Sequence, residues 1–129
     1  MEESVKEIRT EGAPEPVGPY SQAVVHGGLL YASGQIPIDP ATNALVEGDI
    51  EAQTEQVFAN LRAVLEAAGS SLDRVLRATV YLTDLSLFSR VNAVYARHFR
   101  GDPKPARSTL QAAALPLGAQ VEIDVIAAV

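Results

Sequence analysis

Cysteine is absent from the 129 residues, which excludes disulfides, thiolate catalysis and Cys-ligated zinc or iron–sulfur sites and leaves the redox compartment open. Histidine is nearly absent: His26 and His98 lie far apart in sequence, so no metal site is expected from them. His98 sits beside Arg97 near an expected helix end, where a basic residue suits the dipole. Basic charge is also scarce, with 10 Lys+Arg against 16 Asp+Glu and a formal charge of −6. No basic run occurs, and nucleic acid is not expected as a partner, since phosphate binding rests on clustered Lys and Arg. Long hydrophobic runs are missing too. Residues 121–129 are the most apolar stretch, broken by charges and far short of the ~20 residues a membrane span requires, so no membrane association is expected. Met1-Glu2-Glu3-Ser4 lacks the basic-then-apolar order of a signal peptide, and the expected location is cytoplasmic.

What the chain does have is apolar mass. Residues are 47% hydrophobic and only 20% charged, enough to bury a core without covalent staples, and one domain over residues 1–129 is expected. No repeat or low-complexity segment interrupts it.

Residues 5–9 read as a short edge strand, followed by a Gly- and Pro-rich loop running to Tyr20. Residues 23–26 and 29–35 are apolar and flank Gly27-Gly28, a pair suited to the positive φ of a two-residue hairpin turn. Residues 36–48, with Pro37, Asp39-Pro40 and Asn43, read as a surface loop. From Asp49, the apolar residues Ile50, Val57, Phe58, Leu61, Val64, Leu65 and Ala68 recur at helical spacing, with Asp49 as cap and Gly69 as stop. Residues 75–82 read as a covered strand, and Phe88, Val91, Tyr95 and Phe99 as a second amphipathic helix beginning after Asp84 or Ser86 and ending near Gly101. Residues 107–115 and 119–128 are two further strands around Pro116 to Gly118. The expected fold is α+β: a mostly antiparallel sheet of about six strands with two helices on one face.

In the last strand Val121, Ile123, Val125 and Ala127 alternate with Glu122, Asp124, Ile126 and Ala128. The first set is assigned to the helices. The second set, with apolar residues of other strands, makes an uncovered face that points to self-association.

Phosphate-loop, GxGxxG, HExxH and EF-hand patterns do not occur, and Ser33 lacks the first glycine of a nucleophile elbow. Arg107 opens an apolar strand on the same face as Thr109 and Gln111. There a guanidinium could clamp a carboxylate by two parallel bonds, or it could be a solvated strand-end residue or half of an ion pair. Glu122 either belongs to a polar outer face or, if a partner covers it, becomes a desolvated acid with Asp124 raising its pKa, suited to acid/base work. Tyr20 and Ser33 follow a turn or strand where hydroxyls often bond to backbone.

Five segments together carry a family resemblance: Gly18-Pro19-Tyr20-Ser21-Gln22-Ala23, Ser33-Gly34-Gln35-Ile36-Pro37, Val91-Asn92-Ala93-Val94-Tyr95, Pro105-Ala106-Arg107-Ser108 and Val121-Glu122-Ile123-Asp124. In that order, over nearly the whole chain, they resemble the signature segments of the Rid (YjgF-type) family of 2-iminoacid deaminases. The resemblance implies a chorismate-mutase-like α+β fold, a homotrimer, and cofactor-free hydrolysis of reactive 2-imino and enamine acids, such as 2-aminoacrylate and 2-iminopropanoate, to 2-oxoacids and ammonia. It also implies that such species leak from pyridoxal-phosphate dehydratases. By residue, it implies that Arg107 binds the substrate carboxylate and Glu122 handles water and protons, while Tyr20, Ser33, Gly34 and Asn92 shape the pocket. Two positions depart from the family pattern. Thr109 stands where many relatives have cysteine, leaving a backbone N–H for the substrate but no thiol, and Asp124 stands where many have glutamate.

The chemistry of the residues agrees with that implication. A 2-imino acid carries its electrophilic carbon one bond from a carboxylate, so a fixed guanidinium holds that carbon where a carboxyl group can deliver water or a proton. Neither a metal nor an organic cofactor is required. Arg107 lies about six residues further from the reversal at Pro116 to Gly118 than Glu122, roughly 20 Å along the strands. Unless the strands are strongly sheared, one substrate cannot reach both within a chain, and sites between subunits are expected. Two competing functions remain open: a carboxylate-binding or chaperone-like trimer without turnover, and an endoribonuclease, which the acidic charge disfavours.

Overall fold

The computed structural model describes residues 4–129. The first three residues of the segment read above for a signal peptide lie outside the described residues. In chain order the elements are β1 (Lys6–Ile8), β2 (Ala23–His26), β3 (Leu29–Ala32), β4 (Ile38–Asp39), β5 (Ala44–Leu45), α1 (Ile50–Ala67), β6 (Val75–Leu82), α2 (Phe88–His98), β7 (Ala106–Gln111) and β8 (Val121–Ala128). Short 3-10 turns precede β6, α2 and β8.

Six strands form one sheet in the order β1-β2-β3-β8-β6-β7. Every pairing is antiparallel except β6 with β7, which run parallel because α2 is their crossover. With two helices against one side of this mostly antiparallel sheet, the fold is the α+β, chorismate-mutase-like arrangement expected. The β2–β3 hairpin turns at Gly27 and Gly28, both at positive φ (61° and 79°), the geometry of a two-residue turn matched to strand twist.

Helix α1 starts where Asp49 accepts a hydrogen bond from the Ala52 N–H (2.9 Å). It stops at Gly69, whose φ of 76° lets the Ser70 N–H reach the Leu65 carbonyl (2.9 Å). The inward stripe of α1, including Val57, Phe58, Leu61, Val64 and Leu65, packs on Val121, Ile123, Val125 and Ala127 of β8 and on Ala78, Val80 and Leu82 of β6. Strand β8 alternates buried and half-buried residues along its whole length. Its odd-numbered residues therefore face the helices and Glu122, Asp124, Ile126 and Ala128 face away, as the alternation predicts.

Three stretches differ most from the sequence reading. The strand expected over 29–35 ends at Ala32, and Gln35 instead makes an isolated bridge to Ile123. The strand expected over 107–115 ends at Gln111. The loop expected over 36–48 contains the β4–β5 ribbon, with Ile36 and Ile38 buried. Buried Asn60 of α1 donates to the carbonyls of Ile36 (3.3 Å) and Ile38 (2.9 Å). A tertiary contact, invisible to local periodicity, thus supplies order in a segment whose prolines read as loop.

Candidate active site

Arg107 lies on β7, the last strand at one edge of the sheet. It pairs with Ala78, as Thr109 pairs with Val80 and Gln111 with Leu82. Those three partners are buried against the helices, and paired residues share a face, so Arg107 and Thr109 point to the helix side. There Arg107 Nη1 donates to Asn92 Oδ1 of α2 at 2.6 Å. Its guanidinium carbon lies 4.7 Å from the ring centre of Tyr95 and 5.3 Å from that of Phe88. Leu85, Phe88, Arg107 and Thr109 line one open hollow. The ion-pair reading of Arg107 fails, because it forms no salt bridge with any described residue.

Glu122 lies in a different place. It pairs with Tyr81 of β6, on the face away from the helices. Arg107 is level with Ala78, so the two site residues are offset by three positions along β6 and by two strands across. At ~3.3 Å per residue and ~4.8 Å per strand this is roughly 14 Å between backbones. The ~20 Å expected from the chain reversal is therefore too long, because β6 lies between β7 and β8 and sets their stagger. The separation has a stronger cause than distance, since the two side chains leave opposite faces of the sheet.

A cavity of about 360 Å³ surrounds Glu122, lined by Pro14, Val17, Tyr20, Gln22, Ser33, Gly34, Ile36 and Ile38 among others. Burial pushes the Glu122 carboxyl pKa up, and the Asp124 carboxylate adds to the effect. Asp124 in turn accepts a hydrogen bond from the Tyr81 hydroxyl (3.1 Å). Gly34 lies directly against Glu122, where a Cβ would come 2.8 Å from its Cδ.

Of the expected site residues, Tyr20, Ser33, Gly34 and Glu122 come together in this cavity, and Arg107 and Thr109 in the other hollow, with Asn92 bonded to Arg107. The backbone-bonding reading holds for two hydroxyls: Ser33 Oγ donates to the Ser21 carbonyl (2.6 Å), and Tyr20 Oη accepts from the Val17 N–H (3.3 Å). Buried Gln22 was not singled out in the sequence. Its Oε1 accepts from the Thr10 N–H (2.7 Å) while its Nε2 donates to the carbonyls of Thr10, Ala13 and Pro14, strapping down the loop that walls the Glu122 cavity. Phe88 and Tyr95 were legible only as core periodicity, which their helical spacing also serves.

Known proteins share the sequence and the fold. The sequence model of the family described as Endoribonuclease L-PSP matches residues 10–129. Protein DfrA of Myxococcus xanthus is 54% identical over 124 residues, covering 95% of this chain and 94% of that protein. A RutC family protein of Pyrococcus horikoshii is 52% identical over 120 residues, covering 93% and 94%. Among solved structures, the Rid protein YyfA of Yersinia pestis superposes with a TM-score of 0.95 at 52% identity, covering 98% of this chain and all of that one. TdcF of E. coli, solved with bound serine, gives 0.90 at 37% identity, covering 96% and 98%. The chain belongs to the Rid (YjgF-type) family, the family of the L-PSP and RutC proteins.

Proposed function

We propose that the protein is a cytosolic, cofactor-free hydrolase that converts reactive 2-imino and enamine acids to 2-oxoacids and ammonia, at sites formed between the subunits of a homotrimer. One observation carries this reading: Arg107 and Glu122 lie on opposite faces of one sheet, each in its own hollow, so a substrate needs two chains to meet both. In a head-to-tail ring the Arg107 hollow of one subunit faces the Glu122 cavity of the next, and three copies close the ring. The sheet face opposite the helices, carrying Tyr31, Leu110 and Ile126 beside the acidic pair, becomes interior.

In that site Arg107 holds the substrate carboxylate by parallel N–H bonds. An enamine first takes a proton from water at its terminal carbon to become the iminium ion. Water then adds to the C=N carbon, Glu122 accepting its proton to leave a neutral carbinolamine. The carbinolamine expels ammonia as Glu122 returns that proton to nitrogen, and the hydroxyl releases its proton to solvent as the ketone forms. A carboxyl group with a raised pKa suits both directions of transfer. The serine bound by the relative TdcF shares the carboxylate and two-carbon substitution of such substrates, which favours a small amino-acid-derived ligand over RNA. The Glu122 cavity also has Glu15 in its lining, a second acidic group unsuited to phosphate.

The test is to generate 2-aminoacrylate with a serine dehydratase and follow its decay to pyruvate. Faster decay with catalytic amounts of this protein supports the reading. An unchanged rate together with pyruvate binding would make it a carboxylate-binding trimer without turnover.

A further inference from the structure

Among the described residues, uncharged groups alone hold the Arg107 cation. Phe88, Asn92 and Tyr95 occupy positions i, i+4 and i+7 of α2 and so share one helix face. That face presents two rings and one amide oxygen to the guanidinium. Tyr95 is only 8% exposed, and its hydroxyl has no hydrogen-bond partner among the described residues. A buried phenol without a partner costs stability relative to phenylalanine, so the part of Tyr95 in use is its ring. Behind it, the ring packs edge-on against Phe58 (centres 5.9 Å apart, planes at 74°) and tilted against Phe99 (4.7 Å, 51°), which fixes its orientation.

We propose that Tyr95, with Phe88, is a positioning residue that sets the plane of the Arg107 guanidinium while leaving its charge free for a substrate carboxylate. A resident carboxylate would orient the guanidinium equally well but would neutralise it and compete with the ligand. Ring faces attract a cation without occupying its N–H groups. Asn92 takes a single N–H of the five, so an edge with two parallel donors stays available. The ligand's identity rests on the proposed function; the cage around Arg107 does not.

The experiment reads the two separately. Protons over a ring face resonate upfield, so the Arg107 Nε–H signal, assigned by its loss in Arg107→Lys, is expected to be shifted in the wild-type protein. Tyr95→Leu and Phe88→Leu move it toward the position of a solvated arginine, and Tyr95→Phe restores it. On the same samples, pyruvate titrated by calorimetry binds about twofold to thirtyfold more weakly to the leucine variants, the range of a cation–π contact. The loss appears in KM with kcat nearly kept. Because Tyr95→Leu opens the core and can fail to fold, half-buried Phe88 carries the same test at lower structural risk. A shifted signal in a protein that hydrolyses no imine leaves the cage standing and removes the deaminase. An unshifted wild-type signal, or pyruvate affinity unchanged in a folded Phe88→Leu, overturns the proposal. So does an affinity loss in Tyr95→Phe equal to that in Tyr95→Leu, which would assign the effect to the hydroxyl.

Discussion

Gly34 and Glu122 occupy space that only a residue without a side chain can share: a Cβ at position 34 would overlap Glu122 Oε2 and approach its Cγ to 3.0 Å. The overlapping atom ends a flexible side chain, so Gly34→Ala should fold and turn the carboxylate out of the cavity. The expected result is a Tm within a few degrees of wild type and a kcat/KM for imine hydrolysis lower by tenfold or more, read by thermal melting and the coupled dehydratase assay.

Glu122→Gln separates turnover from binding. Pyruvate affinity, which depends on Arg107, should hold while acceleration of imine hydrolysis is lost. Burial first and Asp124 second raise the pKa of Glu122 in the folded protein. Its protonated form therefore favours folding, and stability is lost as pH rises through the raised value. Glu122→Gln should consequently melt higher than wild type at pH 7, with the difference closing below the ordinary glutamate range near ~4.3. The wild-type rate should titrate above that value. Equal melting temperatures at pH 7 would contradict the burial argument.

Arg107→Lys keeps the charge but offers neither the planar two-bond edge nor a face to stack on rings. The expected loss is most of kcat/KM, with KM rising. Thr109→Val should be far milder, and neutral or slightly stabilising, because the Thr109 hydroxyl is buried without a partner. Comparable losses at the two positions would mean that the Thr109 hydroxyl engages substrate as well as the guanidinium.

Opposite-face placement makes the shared site testable by mixing. Arg107→Lys and Glu122→Gln chains, each inactive alone, should regain activity when unfolded and refolded together, since a mixed ring contains one junction with both native residues. On equal mixing about a quarter of wild-type activity is expected for random rings of three. No recovery, or a stable monomer in sedimentation at micromolar concentration, would contradict the interface site.

The helices and the β2–β3 hairpin were legible because their signals are local: a 3.6-residue stripe between Asp49 and Gly69, and a glycine pair between apolar runs. The face of Glu122 followed from strict alternation in β8. The β4–β5 ribbon was not legible, since the hydrogen bonds that order Ile36 and Ile38 come from Asn60 on α1. The Arg107 surroundings were legible only in part. Alternation put Arg107 and Thr109 on one face but could not say which, because that depends on β7 pairing with β6 and not with β8. The contact of Tyr95 with Arg107 was hidden for a related reason: a tyrosine at core spacing reads as core whether or not a cation rests on it.

Strand β8 lies between β3 and β6 in the sheet and follows both in the chain. Until Val121–Ala128 leaves the ribosome, β3 and β6 each lack a neighbour, and the stripe of α1 has no β8 to cover. The nascent chain must therefore wait, holding a hairpin and two helices, for the segment that closes the core and delivers Glu122 in one event. A chain stopped before β8 is left with open strand edges, so it lacks Glu122 and is exposed to aggregation.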